Sequence, residues 1–153
     1  GMPSSGKTTV GKRLAELTGR EFVDTDEEIV KCIGTSIADF FAKNGEEEFR
    51  KIESEVLSEY AKRAGLIVAT GGGAVLKKEN VRAIKRNSVA VFLDRPLDLL
   101  VATSDRPLAS DKDKVKKLYE QRYDIYKSVA DEIADGSGDI DEVANQIRRK
   151  LGI

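Results

Sequence analysis

The chain has no histidine and no tryptophan, and it has only one cysteine, one methionine and three prolines among 153 residues. Without histidine it cannot use a histidine triad, a histidine metal site or a histidine general base. The single Cys32 excludes an internal disulfide and a cysteine zinc site. Acid–base chemistry must therefore come from carboxylates, lysines, tyrosines or bound water.

Charge of one sign is also lacking, because 26 basic side chains balance 27 acidic ones. A net charge of −1 provides no general attraction to nucleic acid or to a membrane surface. The sequence shows no apolar run of membrane-spanning length and no signal peptide. These features predict one cytoplasmic domain over residues 1–153 without nucleic-acid or membrane partners. We expect a monomer whose partner is a small-molecule substrate, as the motifs below indicate.

The clearest motif stands at the beginning, where Gly1–Thr8 matches the phosphate-binding pattern G-x-x-x-x-G-K-[ST]. The glycines let the backbone turn, so that the amides between them face phosphate oxygens. Lys7 is the cation for the outer phosphates, Thr8 is a Mg²⁺ ligand, and a helix predicted at residues 10–17 adds its dipole. The alternative is a glycine-rich turn before an ordinary helix. The predicted nucleotide contacts are Ser4, Ser5, Gly6, Lys7, Thr8 and Thr9.

A phosphate-binding loop ordinarily follows a buried parallel strand, but no residue precedes Gly1 in this sequence. Either the sequence starts late, or Gly1 is a tag remnant before a start at Met2. We expect the first, normally central strand to be missing from the chain. The sheet is then incomplete, unless a neighbouring chain fills the gap and forms a dimer.

The remaining sequence alternates strands and helices, which predicts an α/β three-layer fold with a parallel sheet flanked by helices. Strands are predicted at residues 21–23, 66–70, 88–93 and, weakly, 132–134. Helices are predicted at residues 27–31, after Ser36, at 46–63, 80–86, 97–103 and 114–129, and after Asp139. Residues 106–113 are predicted as a polar loop, within a lid at about 104–113. Ligands bind beyond the carboxyl ends of such strands, where the phosphate loop, the acids at 24–26 and the glycines at 71–73 should meet.

Two acids and three glycines are candidates to line that crevice. In an extended stretch Asp24 and Asp26 would point the same way, one toward the Mg²⁺ shell and one toward a substrate hydroxyl. The alternative is a polar turn whose aspartates bond local amides. Gly71–Gly73 follows a buried strand and predicts close approach of the backbone to a ligand, with a loose turn as the alternative.

Three arginines are candidates for binding anions. Arg50 lies at the edge of the apolar face of its helix, and Arg122 lies within the apolar repeat of another. Together they could clamp a carboxylate, whereas the alternative is salt bridging to acids such as Glu46 or Asp124. Arg106 opens the predicted lid and could stabilise a transferring phosphoryl group.

These motifs resemble, in order and along nearly the whole chain, those of the shikimate kinases. They are the phosphate loop at Gly1–Thr8, Asp24/Asp26, G-E-x-x-F-R-x-x-E at Gly45–Glu53, Gly71–Gly73, R-P-L at Arg106–Leu108 and R-x-x-x-Y at Arg122–Tyr126.

The resemblance implies a five-stranded parallel sheet, as in nucleoside monophosphate kinases, and Mg²⁺-dependent transfer of the ATP γ-phosphate to the 3-hydroxyl of shikimate, in aromatic amino-acid biosynthesis. It implies that Thr8 and Asp24 serve the metal, and that Asp26 binds the shikimate hydroxyls and is the candidate base. Catalytic residues would be Lys7, Asp24, Asp26 and Arg106. Arg106 would also bind the nucleotide. Substrate-binding residues would be Asp26, Arg50, Gly71, Gly72, Gly73 and Arg122.

The chain departs from the family pattern before Arg106, where many members carry a further arginine against the adenine. Two alternative functions remain: a kinase of another polyol or sugar acid such as gluconate, and a catalytically weak ligand-sensing module.

Overall fold

The computed structural model describes residues 1–102 and 109–153 of the chain. Its helices are α1 (Lys7–Thr18), α2 (Thr25–Ile33), α3 (Ile37–Tyr60), α4 (Lys78–Asn87), α5 (Leu97–Ala102), α6 (Ala109–Val129) and α7 (Ile140–Leu151). Its strands are β1 (Glu21–Asp24), β2 (Leu66–Ala69), β3 (Val91–Asp94) and β4 (Glu132–Asp135). A single 3₁₀ turn, Ala74–Leu76, follows the triple glycine. None of the helices in the described ranges is long and apolar enough to cross a membrane.

The strands form two separate parallel pairs, β1 with β2 and β3 with β4. Val23 lies opposite Val68 in the first pair, and Leu93 lies opposite Ala134 in the second. The α/β architecture with parallel strands is therefore confirmed. The five-stranded sheet is not formed by the described residues, which supply four strands in two pairs.

Between β2 and β3 lies a cavity of about 470 Å³ where a central strand would run. The two strands form opposite walls of this cavity. Val10, Gly11 and Leu14 of α1 line one face, and Tyr126 and Val129 of α6 line another. The prediction that the first strand of the sheet is missing is confirmed for the part of the chain that the structure describes.

Apolar side chains cover both sides of the strand pairs. Leu93 and Ala134 pack with Val10 of α1 and Val143 of α7, and Ile67 of β2 packs against the same cluster. Phe92, the neighbour of Leu93, points the other way as strand geometry requires, into a cluster formed with α5 and α6. A third cluster joins α2 to α3 through Ile29, Phe49 and Val56. These clusters give the predicted three layers.

Several helix ends are where local sequence signals place them. The Ser36 side chain accepts a hydrogen bond from the Asp39 amide at 3.1 Å and so caps α3. Asp139 and Glu142 form the predicted capping box of α7. Gly45 has a left-handed φ of 82° inside α3, which confirms the predicted break between a short helix and the longer one that carries Arg50.

The predicted polar loop at 106–113 is wrong from residue 109 onward, because α6 begins at Ala109. The segment is polar because it is a charged helix surface, where Lys114 and Asp111 approach to 3.9 Å at helical spacing. Polarity alone therefore did not distinguish a loop from an exposed helix. The predicted strand at 88–93 is likewise shorter than expected and begins at Val91.

Candidate active site

The phosphate-binding loop leads directly into α1. Gly6 caps that helix with φ 92° and ψ 14°, no side chain bonds its first amides, and its first turn carries no acid. Ser4 also has a positive φ of 60°, which is uncommon for a residue with a Cβ. The loop therefore presents the positive end of a helix whose first turn has no side-chain partner, an arrangement that binds phosphate.

Lys7 folds back over its own loop. Its Nζ donates to the carbonyl oxygens of Gly1 at 3.1 Å and Met2 at 2.6 Å. Burial lowers the pKa of Lys7 to about 8, against the opposing effect of Asp26 and Asp24. The ammonium therefore lies between the phosphate loop and both predicted acids, as the shared crevice requires.

Thr8 and Asp24 contact each other directly, because the Thr8 hydroxyl donates to Asp24 Oδ2 at 2.5 Å. The other carboxylate oxygen of Asp24 accepts from the Asp26 amide at 2.9 Å and caps α2. The expectation that both aspartates lie on an extended stretch is therefore wrong. Strand β1 ends at Asp24, and Asp26 lies in the first turn of α2.

Asp26 nevertheless reaches the same crevice. Burial raises the pKa of Asp26, and the nearby charges of Asp24 and Glu53 raise it further, while Lys7 and Arg50 oppose them. A raised pKa makes this carboxylate a stronger proton acceptor than an exposed aspartate.

The triple glycine is held closely by side chains of the crevice. A Cβ at Gly71 would lie 2.8 Å from Asp26 Oδ1, and one at Gly72 would lie 2.8 Å from Cδ of Pro3. A Cβ at Gly73 would collide with the guanidinium of Arg50. None of these glycines has a positive φ, so they are needed for close approach rather than for a special backbone conformation.

Arg50 pairs with a buried acid. Its Nη1 donates to Glu53 at 2.7 Å and its Nη2 to Glu46 at 3.3 Å. Glu53 is only 1% exposed. The salt bridge that the sequence left open as the alternative for Arg50 is therefore present, but its buried Nε has no hydrogen-bond partner. This donor of the guanidinium is therefore open to a further hydrogen bond.

Arg122 differs from Arg50 because no ion pair with Asp124 or another acid is formed within residues 1–102 and 109–153. Its guanidinium lies close enough to Tyr126 and to Lys7 to favour a lower pKa for both groups, against the effect of burial at Tyr126 and together with it at Lys7. Cationic groups thus converge beside the glycine turn, which favours an anionic ligand.

A second cavity, of about 200 Å³, lies on the other side of the phosphate loop. It is lined by Ser4–Gly6 and by Gly136 and Gly138, which follow β4. Arg95 lines it as well and donates to the Gly136 carbonyl at 2.8 Å. This cavity therefore adjoins the phosphate-binding loop.

The described residues thus bring most of the predicted site together. Arg106 lies outside them, and no cluster of three or more acids or thiols suited to a metal occurs in the described part. The sequence analysis assigned no role to Thr25, Glu53, Arg95 or Tyr126. Glu53 and Tyr126 each end one of the motifs quoted above, and Glu53 also stands three residues after Arg50 on one helix.

Comparison with known proteins gives one consistent result. The shikimate kinase family model matches residues 3–152. The chain is 37% identical over 153 residues to a shikimate kinase of Clostridium botulinum (strain Eklund 17B / Type B), covering 97% of this chain and 92% of that protein. It matches a shikimate kinase from Acinetobacter baumannii in complex with shikimate with a TM-score of 0.93 and 35% identity, over 99% of this chain and 90% of that one. The shikimate kinase from Aquifex aeolicus matches with a TM-score of 0.89 and 33% identity, over 99% and 92% of the two chains.

Proposed function

Since the chain belongs to the shikimate kinase family, we propose that it transfers the γ-phosphate of ATP to the 3-hydroxyl of shikimate, giving shikimate 3-phosphate and ADP. The observation that carries this proposal is the crevice itself. Asp26, an acid with a raised pKa, Arg50, whose buried Nε has no partner, and Arg122, which lies near Lys7, surround a phosphate-binding loop.

On the nucleotide side, Ser4–Thr9 would hold the phosphates through backbone amides, and Lys7 would exchange its bonds to Gly1 and Met2 for phosphate oxygens. Thr8 Oγ1 and Asp24 Oδ2 already adjoin, and hard oxygen donors of this kind fit Mg²⁺. That ion would neutralise charge on the phosphates.

On the acceptor side, Arg50 and Arg122 would take the carboxylate of shikimate, with the backbone of Gly71–Gly73 against its ring. Asp26 would accept the proton of the 3-hydroxyl as that oxygen bonds to the γ-phosphorus and ADP leaves with the electrons of the broken bond. Arg106 would stabilise the transferring phosphoryl group, a role that stays a prediction from the sequence.

Product analysis tests this proposal. With ATP, Mg²⁺ and shikimate, phosphorus NMR should show a phosphate ester coupled to the proton on C3 of shikimate, and Asp26→Asn should nearly abolish it. Gluconate serves as the competing acid. Esterification of gluconate without esterification of shikimate would contradict the substrate assignment, and binding of both ligands without any ester would favour a sensor.

Cytoplasmic localisation and a monomeric state remain predictions. Gel filtration with light scattering tests the second, since a neighbour that fills the cavity between β2 and β3 would produce a dimer.

A further inference from the structure

Tyr126 connects two parts of the acceptor site that come from different elements. It is 3% exposed and lies on α6, one turn after Arg122. Its hydroxyl donates to the carbonyl of Gly72 at 2.6 Å. Burial raises the pKa of that hydroxyl, and the Arg122 guanidinium lies close enough to oppose the rise. The helix that carries the arginine is thus bonded to the glycine turn through Tyr126.

The bond to Gly72 completes a set of anchors on that turn. The Gly71 amide donates to Thr25 Oγ1 at 3.3 Å, and the Gly71 carbonyl accepts from the Ala74 amide at 3.1 Å. Tyr126 holds the next carbonyl. Among the described residues the amide of Gly72 is left without a hydrogen bond, between peptide groups that are anchored on both sides. An anchored turn with one unused donor is suited to bind a ligand oxygen.

The ring of Tyr126 has a separate, purely structural task. It stacks on Phe92 of β3, with ring centroids 5.3 Å apart. Phenylalanine would preserve that packing and remove only the hydroxyl. The Gly72 carbonyl would then lose its hydrogen-bond partner.

We propose that Tyr126 is a positioning residue, which holds the Gly71–Gly73 turn beside Arg122 so that the turn and the arginine meet the ring and carboxylate of the acceptor together. The inference deepens the proposed function and rests on it for the identity of the acceptor. Tyr126 touches no reacting atom and acts only through the Gly71–Gly73 turn.

The neighbouring tyrosine on the same helix provides a matched control. Tyr123 donates to Asp94 Oδ2 at 2.8 Å and also packs on Phe92, at 5.7 Å between ring centroids. Tyr123→Phe therefore removes one hydroxyl and one hydrogen bond from α6, as Tyr126→Phe does, but away from the glycine turn.

The test is calorimetric titration of shikimate into the wild-type protein and both variants without nucleotide, together with KM for each substrate and the Tm. Tyr126→Phe should raise the shikimate Kd and KM about tenfold, as loss of one positioning hydrogen bond would. Its KM for ATP should stay unchanged. Both variants should lower the Tm by similar amounts, since each removes one hydroxyl and one hydrogen bond. Tyr123→Phe should leave shikimate affinity unchanged.

Wild-type affinity in Tyr126→Phe would overturn the positioning role alone, and so would an equal loss of affinity in both variants. Wild-type protein that fails to bind shikimate would instead overturn the proposed function, and this inference with it.

Discussion

Replacement of Arg50 by methionine should lower both the stability of the fold and the affinity for the acceptor. The guanidinium pairs with Glu53 and, in the proposed function, also binds the carboxylate of the acceptor. Its Nη1 neutralises Glu53, a carboxylate that is 1% exposed. Methionine has comparable length and no charge, so it fills the space and leaves that buried carboxylate unpaired. Removing one partner of a buried ion pair costs about 3–5 kcal/mol. For a chain of this size that lowers the Tm by roughly 10 °C.

The double variant Arg50→Met/Glu53→Gln separates the two effects. With no charge left to bury, most of the lost stability should return. Acceptor binding should not return, because a charge-assisted hydrogen bond to the substrate carboxylate is worth about 1.5–3 kcal/mol, or roughly 10- to 100-fold in KM for shikimate.

Thermal unfolding and steady-state kinetics on the wild type, both single variants and the double variant provide the full cycle. A single Arg50→Met variant with wild-type Tm would refute the buried-pair argument. A double variant with wild-type KM for shikimate would refute the assignment of Arg50 to the acceptor.

Four further predictions concern other parts of the site and the fold. Gly73→Ala should raise KM for shikimate without changing KM for ATP, because the added Cβ would collide with the Arg50 guanidinium. Unchanged shikimate kinetics would show that this contact does not affect acceptor binding. Because burial raises the pKa of Asp26, the acid limb of kcat/KM for shikimate should lie above pH 3.8 and vanish in Asp26→Asn, and a limb at or below 3.8 would contradict its role as base. The raised pKa also means that the folded state binds the extra proton, so Asp26 should destabilise the fold as pH rises from 3.8 through that raised value. A five-residue apolar extension fused before Gly1 should fill the cavity between β2 and β3 and raise the free energy of unfolding by roughly 3 kcal/mol, whereas a serine–glycine extension should not.

The direction of that extension follows from the position of Gly1. A Cβ on Gly1 would lie 2.9 Å from the carbonyl oxygen of Leu93, near the carboxyl end of β3. Residues that lead into Gly1 through the cavity would therefore run parallel to β2 and β3. Equal stability of the apolar and serine–glycine extensions would show that the cavity does not accept a strand.

Much of the fold could be predicted because its signals are local. A capping box, a glycine between two helical stretches and a phosphate-binding motif each lie within a few residues, so Asp139, Gly45 and Lys7 could be interpreted without knowledge of the fold. The beginning of α6 at Ala109 could not, because an exposed helix and a loop share the same polar composition.

The remaining features of the site depend on contacts between distant residues. Sequence indicates that Gly71–Gly73 is special but not that Pro3, Asp26 and Arg50 are what approach it. It shows Tyr126 on the same helix face as Arg122 but not that its hydroxyl reaches Gly72, 54 positions away in sequence. Residues brought together by folding leave no local pattern to read.

The most direct test of the account is the rate of ADP release with ATP and Mg²⁺, measured with and without shikimate on this chain and on the chain carrying the apolar extension. We expect ADP release to depend on shikimate and to fall sharply in Lys7→Met, because that variant removes the cation from the phosphate loop. ADP release that is the same with and without shikimate, in both forms of the chain, would contradict it.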